Sequence, residues 1–200
     1  MTPSKLAALT QLTVLLAAPV THARDDANPT LKILGASLEG AHCPAGSGYA
    51  SISDDGEAIT VTFSTVEVAT ESGEQSEAQC RVRLELDVPE GYSFSGLGVA
   101  ASGYYGTVSS GRANFTMSYM FPATGGRQRF AHRRLRGDTD YVFRHVADRL
   151  WSPCGGSAGE PVVLYLDLNL ATSGAAYINT AAVDADVRLA SELTWRACQE

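Results

Sequence analysis

The sequence predicts an all-β fold: a single-domain, antiparallel β-sandwich with two disulfides. At least seven short segments alternate apolar and polar residues, almost no segment has a convincing helical period, and the chain carries four cysteines. Alternation with period two sends successive side chains to opposite faces of a sheet, so each such segment is predicted to be a strand with one buried face. Many short strands separated by turn residues are typical of a sandwich.

The N-terminal residues have the pattern of a secretory signal peptide. Lys5 supplies a positive charge, residues 6–20 form an apolar run, and residues 21–23 place small side chains at a cleavage site. The apolar run is short for a membrane span, and no later stretch reaches the about 18 apolar residues that a span needs. The alternative is a buried N-terminal helix. We expect a signal peptide at residues 1–23, one secreted, extracellular domain at residues 24–200, and no transmembrane segment.

The charge of the chain is unevenly distributed. The net charge is −7, which argues against nucleic acid, a polyanion, as a partner. Acidic residues dominate from Asp25 to Glu90. A later part of the chain is instead rich in arginine: Arg127, Arg129, Arg133, Arg134, Arg136, Arg144 and Arg149. This arginine-rich segment is the most unusual surface feature that the sequence predicts.

Four cysteines, Cys43, Cys80, Cys154 and Cys198, follow the predicted signal peptide. An even number in an exported protein indicates two disulfides, and four cysteines permit three pairings. We favour Cys43–Cys80 and Cys154–Cys198, because each closes a loop within one half of the chain. Loops of this size correspond to about 4 kcal/mol each in the chain-entropy model. No Cys-x-x-Cys or Cys/His spacing typical of zinc is present, so we expect no metal.

The first half of the domain contains three predicted strands and a long loop. Residues 31–38 form the first strand, and residues 49–52 and 58–63 form a hairpin. The turn between them, residues 53–56, contains Asp-Asp-Gly, in which the glycine accepts a positive φ and the aspartates bond the turn backbone. The acidic residues 67–79 are predicted to be a solvated loop.

The middle of the chain contains the clearest alternation. In residues 82–88 apolar side chains alternate with charged ones over the whole segment, a pattern that a helix does not produce. The glycine- and tyrosine-rich residues 92–106 predict a strand with bulges or tight bends. Residues 113–121 alternate again, and a Thr-Gly-Gly turn at residues 124–126 leads into the arginine-rich segment.

Residues 139–150 fit two interpretations equally on periodicity. Val142 and Val146 lie on one stripe of a helix, whereas Tyr141 and Phe143 alternate as in a strand. From these residues alone both alternatives stay open.

The last part of the chain contains two further predicted strands and a cysteine-bearing segment. Residues 162–170 read as a central strand with an apolar inner face, and residues 183–189 as the last long strand, running towards Trp195. Residues 151–156, Trp-Ser-Pro-Cys-Gly-Gly, precede them. We expect this segment to be bridged to the C-terminus, with Trp151 and Trp195 packed around the disulfide.

Several of these motifs, in this order and spacing, resemble one family. They are Cys43-Pro44, Ser53-Asp-Asp-Gly56 with the strand 59–63, Cys80 before the strand 82–88, Pro89-Glu-Gly-Tyr-Ser-Phe94, Trp151-Ser-Pro-Cys154-Gly155 and Trp195-Arg-Ala-Cys198. Over residues 31–198 the chain is similar to the domain of unknown function 4360 family of small secreted bacterial and fungal proteins. The resemblance implies secretion, one all-β domain, two disulfides and a strand at residues 139–150. It transfers no catalytic residue, and the arginines of residues 127–136 depart from its Ser/Thr-rich pattern.

The sequence offers no catalytic constellation. The histidines of the predicted mature chain are His42, His132 and His145. None lies in a His-Glu-x-x-His motif, and no serine lies in Gly-x-Ser-x-Gly. Two acidic pairs remain, Asp54 with Asp55 and Asp184 with Asp186. Turn chemistry explains the first pair and a solvated strand face the second, so we predict no catalytic residues, cofactor or metal.

The predicted ligand surface combines arginines with tyrosines: Arg127, Arg129, Arg133, Arg134, Arg136, Tyr104 and Tyr105. Guanidinium forks suit carboxylates, sulfates and phosphates, and tyrosine rings stack on sugars. The alternatives are a solvated strand pair and tyrosines packed across strands. The resulting hypothesis is a secreted, non-catalytic binding or cell-envelope-associated module for a glycan or an anionic surface. The competing hypothesis is a secreted polysaccharide hydrolase or lyase.

Overall fold

A computed structural model describes residues 29–54, 58–63, 66–156, 160–186 and 193–199. The predicted signal peptide at residues 1–23 lies outside the described residues. The same holds for Asp55 and Gly56 of the predicted hairpin turn and for residues 187–189 of the predicted last strand.

All regular secondary structure in the described residues is β-strand. The strands are β1 Lys32–Glu39, β2 Gly48–Ile52, β3 Ala58–Phe63, β4 Glu67–Thr70, β5 Gln75–Asp87, β6 Tyr92–Ser95, β7 Leu97–Thr107, β8 Arg112–Phe121, β9 Gly126–Leu135, β10 Asp138–Ala147, β11 Val162–Ser173, β12 Ala176–Asn179, β13 Ala182–Asp186 and β14 Thr194–Ala197. In the same residues no helix is long and apolar enough to cross a membrane.

The strands form two main sheets and a small third one. A five-stranded sheet has the order β1-β5-β11-β8-β9. A seven-stranded sheet has the order β2-β3-β13-β7-β12-β4, with β10 on the other side of β7. The two-stranded sheet joins β14 to β6. Every strand pair within these sheets is antiparallel, so the predicted antiparallel β-sandwich is confirmed.

The core lies between the inner faces of the two main sheets. Along β11 every second residue is buried, from Val162 to Leu170. The apolar residues of β5 and β8 continue the same layer on either side, and Val99 and Tyr141 close it from the other sheet. Because the side chains alternate, the residues between the buried ones necessarily cover the outer face of the five-stranded sheet. That outer face carries the candidate site.

Most of residues 139–150 form a strand, as the family resemblance implied: β10 ends at Ala147, and residues 148–150 lie beyond it. Strand β10 pairs with β7 without interruption from Asp138↔Gly106 to Ala147↔Leu97. Tyr141 points inward and is buried, whereas Val142 and Val146 of the helical alternative point outward and are 59% and 39% exposed. Pairing with β7 therefore decides a choice that local periodicity left open.

Two sequence-based expectations were wrong. Residues 67–79 are not a loop, because β4 ends at Thr70 and β5 begins at Gln75, leaving a turn of four residues. The first residues of β5 extend beyond the core, so both faces are exposed and no alternation marks them. Residues 92–106 form two strands rather than one. They are separated at Gly96, whose φ of 97° is accessible mainly to glycine.

Both disulfides are present with the expected pairings. Cys43–Cys80 has a Cα–Cα distance of 5.4 Å and is buried in the core. Cys154–Cys198 has a Cα–Cα distance of 6.1 Å and joins residues 151–156 to the end of β14. Trp195 packs on Phe94 of β6, with ring centroids 5.8 Å apart. The second disulfide and this ring contact together hold the C-terminal strand against the sandwich.

Candidate ligand-binding groove

A groove of about 680 Å³ runs across the outer face of the five-stranded sheet. Its floor is formed by β5, β11, β8 and β9, and residues 39–42 at the end of β1 form one wall. Strand register places polar residues from distant parts of the chain side by side. One row across the floor consists of Arg81, Asp167, Ser118 and Arg129. The next row contains Gln79, Asn169 and Thr116.

Asp167 is the centre of the first row. Its two carboxylate oxygens accept hydrogen bonds from Arg81, from Nε at 2.5 Å and from Nη2 at 3.2 Å. Arg127 of β9 donates a third bond to Oδ2 at 3.4 Å. The two-point geometry fixes the planes of both groups, and hydrogen bonding to Asp167 raises the pKa of Arg81. Asp167 is thus held at a fixed position on the groove floor, with 25% of its side chain exposed.

Tyr165 lies next to the first row, in the row of β11 that faces Arg83 and Met120. The Arg81 guanidinium lies over the Tyr165 ring, with its central carbon 4.4 Å from the ring centroid. Such a cation–π contact stabilises a planar stack. Tyr165 does not line the groove itself, but its ring supports the Arg81 guanidinium that does.

The two amides of the second row bond to a carboxylate at the next outward-facing position of β5. Glu77 Oε1 accepts hydrogen bonds from Asn169 Nδ2 and from Gln79 Nε2, the latter at 3.4 Å. The Gln79 backbone N–H donates to His42 Nδ1 at 3.1 Å, which ties the wall to the floor. Amides present donors and acceptors together, so this part of the groove offers both kinds of group to a ligand.

Charges in the groove balance. The acidic residues lining it are Glu39, Glu77 and Asp167, and the basic ones are Arg81, Arg127 and Arg129. Three formal charges of each sign cancel locally. A groove with many polar groups and no net charge suits an uncharged, hydroxyl-rich ligand better than a polyanion.

The predicted arginines do not form one surface. Arg127 and Arg129 line the groove, and Arg129 donates to Thr116 Oγ1 at 3.4 Å. Arg133 and Arg134 lie at a bulge of β9, where two residues stand opposite Asn114 and Arg134 has a φ of 58°. Arg136 follows in the exposed turn after β9.

The predicted tyrosines lie in the other sheet, on opposite faces of β7. Tyr105 points inward and contacts Tyr141, with ring centroids 6.4 Å apart. Tyr104 points outward, contacts the Tyr177 ring at 6.1 Å, and donates its hydroxyl hydrogen to Asp138. That hydrogen bond raises the pKa of Tyr104. Neither tyrosine reaches the groove.

Comparison with known proteins identifies the family. Residues 29–198 match the family model described as domain of unknown function (DUF4360). The chain belongs to this family. A curated relative, an uncharacterized secreted protein of Arthroderma benhamiae, is 23% identical over 175 residues, which span 83% of this chain and 71% of the relative.

Solved structures similar to this DUF4360 domain include two carbohydrate-binding modules. A xylan-binding module, CBM15, has a TM-score of 0.31 and 12% identity, over 79% of this chain and 96% of the module. TmCBM61, solved with β-1,4-galactotriose, has a TM-score of 0.30 and 6% identity, over 83% and 90% respectively. Similarities this low say nothing about what the DUF4360 chain binds.

The residues of the DUF4360 groove that sequence reasoning missed lie mainly on β5 and β11. Residues 162–170 were predicted to be a central strand, and Tyr165, Asp167 and Asn169 were visible as its polar side. A central strand whose outer side carries an aromatic ring, a carboxylate and an amide is a usable signal. Glu77 and Gln79 fall within residues 67–79, which were predicted to be a loop, so no sequence pattern indicated that they line a groove.

The histidines and aspartates that were considered for catalysis in the sequence, and set aside, lie in separate places. His42 borders the groove, whereas the rings of His132 on β9 and His145 on β10 pack between those two strands. Asp184 accepts a hydrogen bond from Thr60 Oγ1 at 2.7 Å on the outer face of the other sheet. Within the described residues, no group of three or more His, Cys, Asp and Glu residues is arranged to hold a metal ion.

Proposed function

We propose that this DUF4360 domain is a secreted, non-catalytic module that binds a neutral glycan in the groove of the five-stranded sheet. One observation carries the proposal. Two adjacent rows of polar side chains, fixed by hydrogen bonds to one another, form the floor of a groove of about 680 Å³ without net charge.

The chemistry of the groove matches that of sugars. Each sugar hydroxyl donates and accepts hydrogen bonds, so a sugar-binding site needs both kinds of partner close together. Asp167 supplies acceptors, Arg81 supplies donors, and Asn169 supplies one of each. Because Asp167 and Asn169 already have fixed partners, binding costs little side-chain entropy.

The acidic side chains of the groove already accept hydrogen bonds from neighbouring residues, which favours glycan binding over glycan hydrolysis. Glycosidases use two carboxyl groups that transfer protons or attack the sugar. Here Asp167 is occupied by two guanidinium groups, and Glu77 accepts bonds from two amides. These contacts suit groups that position hydroxyls.

An extracellular location supports the same function. Disulfides persist in oxidising compartments, this chain has two of them, and the A. benhamiae relative is a secreted protein. We propose that the domain acts outside the cell, after removal of residues 1–23.

Affinity electrophoresis in gels containing xylan, galactan, mannan or glucan tests the proposed function. We expect retardation by at least one neutral polysaccharide. Asp167→Asn should weaken binding about tenfold, because it removes the charge that aligns two arginines. The matched control is Asp140→Asn on exposed β10 of the other sheet, which should bind like the wild type.

Two results would overturn the proposal. One is the absence of retardation by every neutral polysaccharide. The other is an equal effect of the Asp167 and Asp140 substitutions. Release of reducing sugars in the same samples would instead support the hydrolase or lyase alternative.

A further inference from the structure

A second cleft, of about 650 Å³, lies where the edge strands of the two sheets meet. Strand β9 is the last strand of the five-stranded sheet, and β10 pairs only with β7 among the described strands. Polar side chains lining the cleft are Gln128, Arg129, Arg144, His145, Asp148 and Arg149. None of them except Arg129 lines the groove described above.

Gln128 joins the two walls of this edge cleft. From β9, its Nε2 donates to the Val146 carbonyl oxygen at 3.4 Å and to Asp148 Oδ1 at 3.2 Å. Its Oε1 accepts from the Arg149 backbone N–H at 3.0 Å. Both ends of the amide are therefore used, and the end of β10 is held beside β9. The edge cleft is a built feature of the fold rather than a gap between mobile side chains.

The edge cleft carries an excess of positive charge. Arg129, Arg144 and Arg149 contribute three positive charges, and Asp148 contributes one negative charge. In the described part of the chain the ion pairs within 4.0 Å involve Arg81, Arg83 and Arg127. The three arginines of the cleft thus have no carboxylate partner there. The cleft therefore has an excess of two positive charges, opposite in sign to the net charge of −7 of the whole chain.

We propose that the edge cleft binds an anionic group, a carboxylate or sulfate, carried by a sugar polymer. Guanidinium groups bind such oxyanions through paired N–H donors, and several together are the usual means of recognising them. Asp148 already accepts a bond from Gln128, which leaves the arginines as the groups available to a ligand.

The position of Arg129 connects the two sites. It lines both the groove and the edge cleft. A polysaccharide lying in the groove passes over β9 at Arg129 and places a later sugar at Arg144 and Arg149. This part of the inference rests on the proposed function. It narrows the ligand from any neutral glycan to a polymer with uncharged stretches and acidic sugars.

Calorimetric titration with an oligogalacturonate, a sulfated oligosaccharide and an uncharged oligogalactoside tests the inference. The variant is Arg144→Gln with Arg149→Gln, both exposed side chains. We expect binding of an anionic oligosaccharide to weaken at least tenfold, with binding of the uncharged one unchanged. The Arg149 backbone bond to Gln128 remains, so thermal unfolding should also be unchanged.

The matched control is Arg112→Gln with Arg136→Gln. It removes the same charge from exposed positions that line neither cavity, and it should bind anionic oligosaccharides like the wild type. An equal loss in both double variants would show non-specific electrostatic attraction and overturn the inference. So would the absence of anionic binding, or inorganic sulfate binding as tightly as the oligosaccharides.

The two proposals fail separately. If Arg144 and Arg149 govern anionic binding while no neutral glycan is retained, the edge cleft stands and the proposed function of the groove is lost. If neutral glycans bind but the Arg144 and Arg149 substitutions leave the affinity for anionic glycans unchanged, the proposed function of the groove is retained and the edge-cleft inference is rejected.

Discussion

At the scale of single residues, two buried tyrosines of the core differ in what their hydroxyl groups contact. The Tyr141 hydroxyl donates to the Asn179 carbonyl oxygen at 2.7 Å and lies 2.9 Å from Thr180 Oγ1. The Tyr119 hydroxyl is buried and has no hydrogen-bond partner among the described residues. Burial raises the pKa of both tyrosines. A buried hydroxyl without a partner loses its hydration and gains nothing in return.

Removing these two hydroxyls should therefore have opposite consequences. Tyr141→Phe should lower the free energy of unfolding by roughly 1–3 kcal/mol, since it leaves a carbonyl without its donor. Tyr119→Phe should leave stability unchanged or raise it. Urea unfolding of both variants at pH 7 measures the difference. Equal destabilisation by the two substitutions would contradict this account.

At the scale of elements, the edge of the sandwich between β9 and β10 is closed by stacked rings. His132 of β9 stacks on Phe143 of β10, with centroids 3.7 Å apart, and His145 of β10 stacks on Phe130 of β9 at 4.4 Å. Desolvation by burial lowers the pKa of both histidines. For His145, Asp148 partly offsets this effect and His132 adds to it. The edge is thus closed by neutral imidazoles.

These lowered pKa values predict that acid weakens the edge. Below about pH 6.5, the ordinary histidine pKa, the unfolded chain takes up protons before the native protein does. The two neutral histidines therefore contribute their full stabilisation above about pH 6.5. That contribution is lost as the pH falls towards their lowered pKa values in the native protein. His132→Phe with His145→Phe should flatten the pH dependence of thermal unfolding between pH 7 and pH 5. If the unfolding temperature of the double variant depends on pH as steeply as that of the wild type, the prediction is wrong.

At the scale of the whole molecule, the two disulfides have different roles. Cys43–Cys80 lies in the core, with both residues at most 2% exposed. Cys154–Cys198 lies at the surface and ties the short strand β14 to residues 151–156. Besides this bond, β14 is held by its pairing with β6 and by the contact of Trp195 with Phe94. We therefore expect the first disulfide to stabilise the whole domain and the second mainly to hold β14.

Removal of each disulfide should show this difference. Cys43→Ala with Cys80→Ala should destabilise the whole domain by about 2–5 kcal/mol. Cys154→Ser with Cys198→Ser should instead increase amide hydrogen exchange at Thr194–Ala197 while the protection of β5 and β11 stays near wild type. Exchange measured by mass spectrometry separates the two patterns. Global loss of protection in the second variant would argue against the assignment.

The sequence by itself determined several of the long strands and their buried sides. Period two in residues 162–170 was sufficient to predict that Val162 to Leu170 are inside, because alternation is a local property of an extended chain. Four cysteines in a chain predicted to be exported were sufficient to predict two disulfides. The polar side of β11 could also be identified in the sequence, but its place on the groove floor could not.

Only the tertiary structure decided which polar residues meet. Arg81 and Asp167 are 86 positions apart in the chain, and their contact depends on the register between β5 and β11. Arg127 and Arg129 reach the groove while Arg136 does not, because β9 ends in a bulge and a turn. Residues 139–147 are a strand because they pair with β7. Strand register and strand pairing bring distant segments together, and a pattern within one segment does not specify which other segment it will pair with.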